Sequence, residues 1–155
     1  MSRTEIQFRE GAATKEDIRA HLESCDSGFT PNLSCKVDID EYSTKIRTRA
    51  KTFEAWSGNA LIGLVAAYMN DAATRTGFIT SVSVAREFMG RGIAPALLDR
   101  CLNKARREGM RAVRLEVNLE SGEATRLYET FGFSEIARKG TTVSMELEIG
   151  EKRQS

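Results

Sequence analysis

An amphipathic helical pattern stands between two strand-like runs in the middle of the chain. From residue 91 to residue 108 apolar side chains recur every three or four positions, and most basic residues lie off that face. A strand-like run at 78–84 precedes this helix, and another at 112–118 follows it. Two strands of one sheet that are joined by a crossover helix run parallel. The segment therefore predicts a strand–helix–strand unit. The apolar residues of the helix are Ile93, Leu97, Cys101, Leu102 and Ala105.

The other predicted elements place this unit in a larger mixed sheet. Before it we expect a strand at 6–9, a helix at 14–24 with Thr14 as its N-cap, a helix at 38–50, and strands at 53–56 and 60–69 joined at Ser57-Gly58-Asn59. After it we expect a helix at 124–130 and strands at 133–137 and 142–149. This order predicts an α/β (α+β) fold, a mixed sheet of about seven strands flanked on both faces by about four helices.

Length and charge exclude several classes of protein. The 155 residues, 41% hydrophobic and with two prolines, favour one domain over residues 1–150, followed by a polar tail at 151–155 that we expect to be frayed. A net charge of +1 gives no overall field for nucleic acid or an anionic membrane. The longest apolar run, residues 60–69, is far shorter than a bilayer span, and the N-terminal residues lack the apolar stretch of a signal peptide. We predict no nucleic-acid partner, no membrane partner and no export.

Histidine and cysteine offer little material for metal or triad chemistry. His21 is the one histidine and lies in a polar helical stretch, so we interpret it as a surface residue. Cys25, Cys35 and Cys101 are odd in number and lack paired short spacing, which disfavours a disulfide framework and a zinc site. Cys101 falls on the apolar helix face, where burial is expected rather than reactivity. These residues indicate a reducing cytoplasm and no metal.

The turn Met89-Gly90-Arg91-Gly92-Ile93-Ala94 leaves a strand and enters a helix. Its glycines allow successive backbone N–H groups to converge on one anion, for which phosphate is the natural candidate, and Arg86 and Arg91 could add charged contacts. The alternative is that a strand-to-helix junction needs glycine for its geometry alone. A Walker loop is excluded because Ile93 follows Gly92, and a dinucleotide fingerprint is excluded because Pro95 stands at its third glycine.

Two motifs in order resemble the GNAT superfamily of acetyltransferases. The turn from Met89 to Ala94 is similar to the Arg/Gln-x-x-Gly-x-Gly/Ala turn that grips the pyrophosphate of acetyl-coenzyme A in that family. The second segment runs from Leu115-Glu116-Val117-Asn118 through Ala124 and Leu127-Tyr128-Glu129 to Phe131-Gly132-Phe133. The resemblance covers about residues 60–133. Met89 departs from the family's Arg or Gln, and Ser121 stands where many members carry Asn.

This resemblance implies acetyl-CoA as the acetyl donor. The pantetheine arm is expected to lie along the strand at 79–84, with the Val82 N–H aimed at the thioester carbonyl oxygen. Tyr128 is expected to protonate the departing thiolate, and the alternative is an aromatic residue that only packs in the core. Ser121 is expected to keep an N-cap role. The candidate cofactor-binding residues are Val82, Ser83, Val84, Met89, Gly90, Arg91, Gly92, Ile93, Ala94, Ser121 and Tyr128.

The general base is less well specified by the sequence. Thr80, Ser81 and Ser83 supply no carboxylate on the strand where some relatives place a glutamate. Glu116 is the candidate, since strand alternation turns it away from the side of Leu115 and Val117. A salt bridge with Arg114 or a neighbouring helix is the alternative role for Glu116. Deprotonation of the amine through water, without a dedicated base, is the other alternative.

The acceptor is expected to contact the segment 25–50 and the loop 70–76. Asp38, Asp40 and Glu41 could attract a cationic amine, although acidic residues also favour the start of a helix. Phe29, Tyr42 and Trp56 could form apolar walls or belong to the core. The expected function is direct transfer of acetyl from acetyl-CoA to a small-molecule or peptide primary amine in a ternary complex. The alternative is a non-catalytic acyl-CoA binding or sensing module, and a homodimer is possible in either case.

Overall fold

The computed structural model describes residues 5–150 of the chain. Three short 3-10 turns, Asp26–Gly28, Leu33–Cys35 and Arg86–Phe88, join longer elements and were not expected from the sequence. The longer elements in chain order are β1 (Ile6–Glu10), α1 (Lys15–Cys25), α2 (Ile39–Arg49), β2 (Lys51–Ser57), β3 (Ala60–Tyr68), β4 (Thr76–Val84), α3 (Ile93–Arg107), β5 (Ala112–Asn118), α4 (Gly122–Thr130), β6 (Ser134–Lys139) and β7 (Thr142–Glu148).

The strands form one mixed sheet in the order β1-β2-β3-β4-β5-β7-β6. Antiparallel pairs join β1 to β2, β2 to β3, β5 to β7 and β6 to β7. β4 and β5, on either side of the crossover through α3, pair in parallel from Thr76↔Ala112 to Ile79↔Leu115. The predicted mixed sheet of about seven strands with about four helices is therefore confirmed within the described residues, with element ends shifted by a few residues.

Local sequence signals explain where several elements begin. Thr14 caps α1 in a reciprocal capping box, because its hydroxyl accepts from the Asp17 N–H while the Asp17 carboxylate accepts from the Thr14 N–H. Asp38 caps α2 by accepting from the Glu41 N–H. The predicted hairpin at Ser57-Gly58-Asn59 is present as the β2–β3 turn, in which Gly58 adopts a positive φ of +59° and Asn59 does not.

The chain divides into two compact units. Among the described residues, unit 1 contains residues 5–67 and 81–101, and unit 2 contains residues 68–80 and 102–150. Three continuous elements, β3, β4 and α3, contribute residues to both units. The expectation of a single domain over residues 1–150 stays a prediction, and the expected polar tail at 151–155 lies outside the described residues.

Unit 1 has a core in which helix α1 and helix α2 meet strands β2 and β3. The helices contribute Ile18, Leu22 and Ile46, and the strands contribute Trp56 and Leu64, all of them buried. β2 is buried over its five central residues, so side chains on both of its faces are removed from water. This continuous burial is typical of a strand in the interior of a sheet.

Glu54 carries a carboxylate into the interior of unit 1. It is 0% exposed and accepts hydrogen bonds from the backbone of Ala12 and Ala13, from Thr52 Oγ1 at 2.6 Å and from Trp56 Nε1 at 2.9 Å. A buried carboxylate is tolerated where donors replace its hydration. Glu54 therefore ties the loop before α1 to strand β2.

Unit 2 shows the alternation expected of a sheet with one covered face. Val113, Leu115 and Val117 of β5 are buried, whereas Arg114 and Glu116 are exposed. Arg114 lies opposite Glu146 on β7, and its Nε donates to the Glu146 carboxylate at 2.8 Å. The cross-strand pair confirms the register between these two strands.

Candidate active site

The turn that follows β4, called here the glycine turn (Met89–Ala94), has two residues in the left-handed backbone region. Gly90 has φ +80° and Gly92 has φ +76°. A Cβ atom built on either residue would meet nothing within 4 Å. Glycine is thus required for the backbone conformation at both positions, and the space in front of this backbone is open to a ligand.

The amides of the glycine turn lack acceptors among residues 5–150. The first helical hydrogen bond of α3 runs from the Ala96 N–H to the Gly92 carbonyl, which leaves the N–H groups of Ile93 and Ala94 without intrahelical partners. The N–H groups of Gly90, Arg91 and Gly92 also donate to no described residue. Five successive amides are therefore available to an anion at the amino end of a 15-residue helix.

The side chains of the glycine turn add one oriented cation. The Arg91 guanidinium lies 5.1 Å from the centre of the Phe88 ring, a cation–π contact that holds it beside the turn. Met89 is 59% exposed and, as a methionine, offers no hydrogen-bond donor. The turn therefore depends on backbone amides more than on the residue that heads it.

The carboxyl half of β4 alternates between two environments. Ser81 and Ser83 are buried, and Val82 and Val84 are half-buried on the opposite side of the strand. The Ser81 hydroxyl is buried and has no hydrogen-bond partner among residues 5–150. A buried hydroxyl without a partner costs free energy, and no described residue of the protein offsets that cost.

His21 is not the surface residue that we expected, because it is only 3% exposed. Its Nδ1 lies 3.1 Å from the Leu61 carbonyl oxygen and its Nε2 lies 2.9 Å from Ser83 Oγ. The polar composition of α1 concealed this position. The spacing of Ile18, His21, Leu22 and Cys25 places His21 on the buried face of the helix, and that periodicity was the available signal.

Burial lowers the pKa of His21 to about 4, although its hydrogen bonds act in the opposite direction. As the pH falls, His21 of the unfolded chain becomes protonated near pH 6.5, whereas His21 of the folded chain becomes protonated only near pH 4. The stabilising contribution of neutral His21 is complete above pH 6.5 and is lost as pH falls between these values, by about 3 kcal/mol in total.

We therefore expect His21→Gln to lose less stability on acidification than the wild type. Urea unfolding measures the free energy of unfolding at about pH 7 and about pH 4.5. Between these pH values we expect it to fall by about 2–3 kcal/mol more in the wild type than in His21→Gln. Carboxylates contribute equally to both proteins, so the difference reports His21. Equal losses in the two proteins would show that His21 does not resist protonation in the folded state.

Tyr128 lies on α4 and is 7% exposed. Its ring makes an edge contact with the Phe133 ring, with centroids 6.0 Å apart and planes at 64°. Burial raises the pKa of the Tyr128 phenol to about 12. No group within residues 5–150 takes its hydroxyl as a hydrogen-bond partner. The side chain is therefore a buried phenol that stays protonated at neutral pH.

Glu116 and Ser121 occupy the positions that the sequence indicated, with different contacts. Glu116 is exposed on β5, and Arg114 pairs with Glu146 instead of with Glu116, so the salt bridge to Arg114 that we considered is absent from the described residues. Ser121 precedes α4 as its N-cap residue, but its hydroxyl makes no capping bond. Its backbone carbonyl accepts from the Thr125 N–H and hydroxyl.

The candidate residues fall into two groups by unit. Residues 82–84 and the glycine turn follow one another along unit 1. Glu116, Ser121 and Tyr128 lie in unit 2. Within unit 1 the structure adds His21 to this set through its contact with Ser83.

The residues that we considered for the acceptor have structural partners. Asp38 caps α2, and Asp40 pairs with Lys15 at 3.0 Å. Trp56 is buried and donates to Glu54, while Phe29 and Tyr42 pack against the core of unit 1. Asp38 thus begins a helix, and the three aromatic residues belong to the core or pack against it, as the alternative interpretation proposed. Any contact with the acceptor would be a second role for these residues.

Comparison with known proteins decides the family. Residues 16–133, most of the chain, match the Acetyltransferase (GNAT) family. The chain belongs to the GNAT acetyltransferase family. The mycothiol acetyltransferase of Beutenbergia cavernae is 30% identical over 128 residues, which are 83% of this chain and 36% of that protein. The GNAT chain thus spans about a third of the length of this relative.

Solved structures confirm the GNAT fold. Ard1 from Thermoplasma volcanium superposes with a TM-score of 0.76 at 20% identity, covering 94% of this chain and 99% of that one. The PaiA N-acetyltransferase from Thermoplasma acidophilum, solved with coenzyme A, gives a TM-score of 0.74 at 16% identity over 94% of this chain and 99% of that one. The predicted GNAT-like sheet is confirmed by both.

No helix within residues 5–150 is long and apolar enough to cross a bilayer. The same residues contain no group of three or more His, Cys, Asp or Glu side chains placed to hold a metal ion. Cys101 is buried on α3, where burial raises the pKa of its thiol to about 12.

Proposed function

We propose that the protein transfers an acetyl group from acetyl-CoA to a primary amine, directly, in a ternary complex and without a metal. The single observation that carries this proposal is the glycine turn. Its five unpaired amides, its positive-φ glycines and its open space provide hydrogen-bond donors for a diphosphate. Membership of the GNAT family selects coenzyme A among the ligands that carry a diphosphate.

The strand that leads to the turn supplies the expected site for the pantetheine arm. β4 continues past Ile79↔Leu115, the last pair of its parallel ladder, to its end at Val84, and the 3-10 turn Arg86–Phe88 then connects it to the glycine turn. An extended arm can add to such a strand by hydrogen bonds to its backbone. In this proposal the Val82 N–H polarises the thioester carbonyl and stabilises the oxyanion that forms on attack.

Tyr128 is the proposed general acid for the thiolate. Its high pKa keeps the phenol protonated at neutral pH, and its hydroxyl has no competing partner among residues 5–150.

The other candidate residues keep their proposed roles. Glu116 is proposed as the general base, and Ser121 is proposed to contact the cofactor. The exposed position of Glu116 is compatible with action through water. The acceptor, a small molecule or a peptide, is expected to carry a primary amine. A cytoplasmic location and a homodimer stay predictions.

The proposed function is tested by an acceptor screen. Purified protein is incubated with saturating acetyl-CoA and a panel of amino sugars, polyamines, amino acids, cysteine-containing amines and peptides with free N-termini. Release of free thiol and the masses of the products are measured. Acetylated amine that accumulates in step with thiol supports the enzyme. Tight binding of acetyl-CoA without turnover on any amine supports the non-catalytic module.

The role of the glycine turn is tested by a matched pair of substitutions. Gly92→Ala introduces strain at φ +76° and displaces the amides, so we expect the Kd for coenzyme A to rise by at least about tenfold. Gly140→Ala places the same strain, at φ +60° and also in open space, in the β6–β7 turn. Isothermal titration of both variants should show a weakened Kd only for Gly92→Ala. An unchanged Kd in Gly92→Ala would remove the glycine turn from the binding site.

A further inference from the structure

The hydrogen bonds of His21 fix which of its nitrogens carries the proton. The Leu61 carbonyl can only accept a hydrogen bond, so the neighbouring Nδ1 must be protonated. In a neutral imidazole Nε2 then has a free lone pair, and this lone pair faces the Ser83 hydroxyl at 2.9 Å. Ser83 therefore donates its proton toward His21.

The result is a hydroxyl backed by a base that is itself held in position. A hydroxyl, an imidazole and an orienting acceptor in a row form the arrangement that moves protons at many active sites. Here the row is Ser83, His21 and the Leu61 carbonyl, and all three belong to unit 1. A buried histidine needs hydrogen-bond partners for stability alone. The partner here, Ser83, lies between Val82 and Val84, the two residues proposed to bind the cofactor, and this position points to a role beyond stability.

A second observation indicates that this face of β4 meets a ligand. Ser81 lies two residues before Ser83 and thus on the same face of the strand. It is 6% exposed, and its hydroxyl finds no partner in the described part of the chain. An acceptor molecule with a polar group near Ser81 would satisfy that hydroxyl and would bring an attached amine close to Ser83.

We propose that Ser83 removes the proton from the attacking amine and that His21 receives it through Ser83. This inference rests on the proposed acetyl transfer and supplies the base that the sequence left open. Ser83 is then a catalytic residue, because it touches the amine. His21 is a positioning residue that acts through Ser83.

The proposed step is balanced in atoms and electrons. The amine nitrogen, bound neutral, attacks the thioester carbon, a C–N bond forms, and the carbonyl π electrons move to oxygen. Ser83 Oγ takes a proton from the nitrogen while its own proton passes to His21 Nε2. The oxyanion then reforms the carbonyl as the C–S bond breaks, and the thiolate takes a proton from the general acid. His21 finally returns its proton to Ser83 as Ser83 releases one to water that replaces the product. The general acid recovers a proton from water, so the whole cycle moves one proton from the amine to the thiolate.

The surroundings of His21 suit a transient charge. A surface cleft of about 370 Å³ reaches His21, and Asp17 and Glu87 are its charged lining residues. Cys25, on the same helix, places its thiol 3.8 Å from Nε2, and burial raises the pKa of that thiol. The charged groups near His21 are thus acidic and favour a brief imidazolium. Burial keeps the imidazole neutral at rest, so the lone pair of Nε2 is free at neutral pH.

The test compares Ser83→Ala and His21→Gln with Ser43→Ala. Ser43 is another buried serine, whose hydroxyl donates to the Ile39 carbonyl in α2, outside the proposed machinery. With the best amine of the acceptor screen at saturation, Ser83→Ala and His21→Gln should each lower kcat by roughly 100-fold, and the double variant by no more than about threefold further. Ser43→Ala should keep kcat, and KM for acetyl-CoA should change by less than about twofold throughout.

The pH profile separates proton transfer from a structural role. Wild-type kcat should be nearly flat between about pH 6 and pH 9, whereas kcat of the two relay variants should rise with pH because hydroxide replaces the lost base. A structural defect would lower kcat by the same factor at every pH. Should His21→Gln not fold, Ser83→Ala alone decides the question.

A direct readout of the imidazole is independent of turnover. Since the chain has one histidine, ¹⁵N NMR of the folded protein reports His21 without assignment. We expect a protonated Nδ1 and an unprotonated Nε2 near neutral pH, with the Nε2 signal shifted in Ser83→Ala. A protonated Nε2, or turnover by Ser83→Ala at the wild-type rate, would overturn the relay and leave the acetyltransferase intact. Absence of turnover by the wild type would overturn the proposed function and the relay with it.

Discussion

Replacing Glu54 by glutamine is expected to destabilise the protein by about 4 kcal/mol, which is a large part of the stability of a domain of this size. The buried carboxylate of Glu54 satisfies four donors, two from the backbone and two from the side chains of Thr52 and Trp56. A glutamine amide turns an NH₂ group toward some of these donors in either orientation. Each buried donor left without an acceptor costs about 1–3 kcal/mol.

Urea unfolding followed by tryptophan fluorescence measures this loss, because Trp56 is the one tryptophan and contacts Glu54 directly. Glu23→Gln is the control, since Glu23 is exposed and forms a surface ion pair with Arg19; its effect should be below about 1 kcal/mol. A Glu54→Gln variant with an unfolding midpoint within error of the wild type would show that the carboxylate is dispensable.

Replacing Tyr128 by phenylalanine is expected to lower kcat by about 100- to 1,000-fold with little change in fold or in coenzyme A affinity. Phenylalanine keeps the edge contact with Phe133 and removes only the hydroxyl that we propose as the proton donor to the thiolate. Because burial raises the pKa of Tyr128 to about 12, loss of its proton should not depress wild-type kcat at any pH below about 10.

Initial rates of thiol release at saturating acetyl-CoA and amine provide the measurement. Tyr68→Phe in β3 is the matched control, because it also deletes one phenolic hydroxyl and lies outside the proposed machinery. We expect its kcat to stay within about threefold of the wild type. A similarly small effect in Tyr128→Phe would reduce Tyr128 to the core aromatic that the sequence also allowed.

The glycine turn could be predicted from the sequence, whereas the position of His21 could not. The glycine turn was predictable because positive φ at Gly90 and Gly92 and an open helix end are local properties that a short motif encodes. His21 was misinterpreted because its burial depends on contacts with Leu61 and Ser83, which are 40 and 62 residues away in the chain. The burial of Glu54 could not be predicted either, since the sequence around a charged residue in a strand does not show which donors will surround its carboxylate in the fold.

The sequence by itself determined the order of the helices and strands, the parallel crossover through α3, the cap of α1, and the position of the glycine turn. These follow from hydrophobic periodicity and from the conformational limits of a few residues, which act over one or two turns of chain. Only the tertiary structure decided which polar groups are buried and with whom they pair. Burial of a polar group is favourable or costly according to partners that folding brings from distant segments, and no local pattern records them.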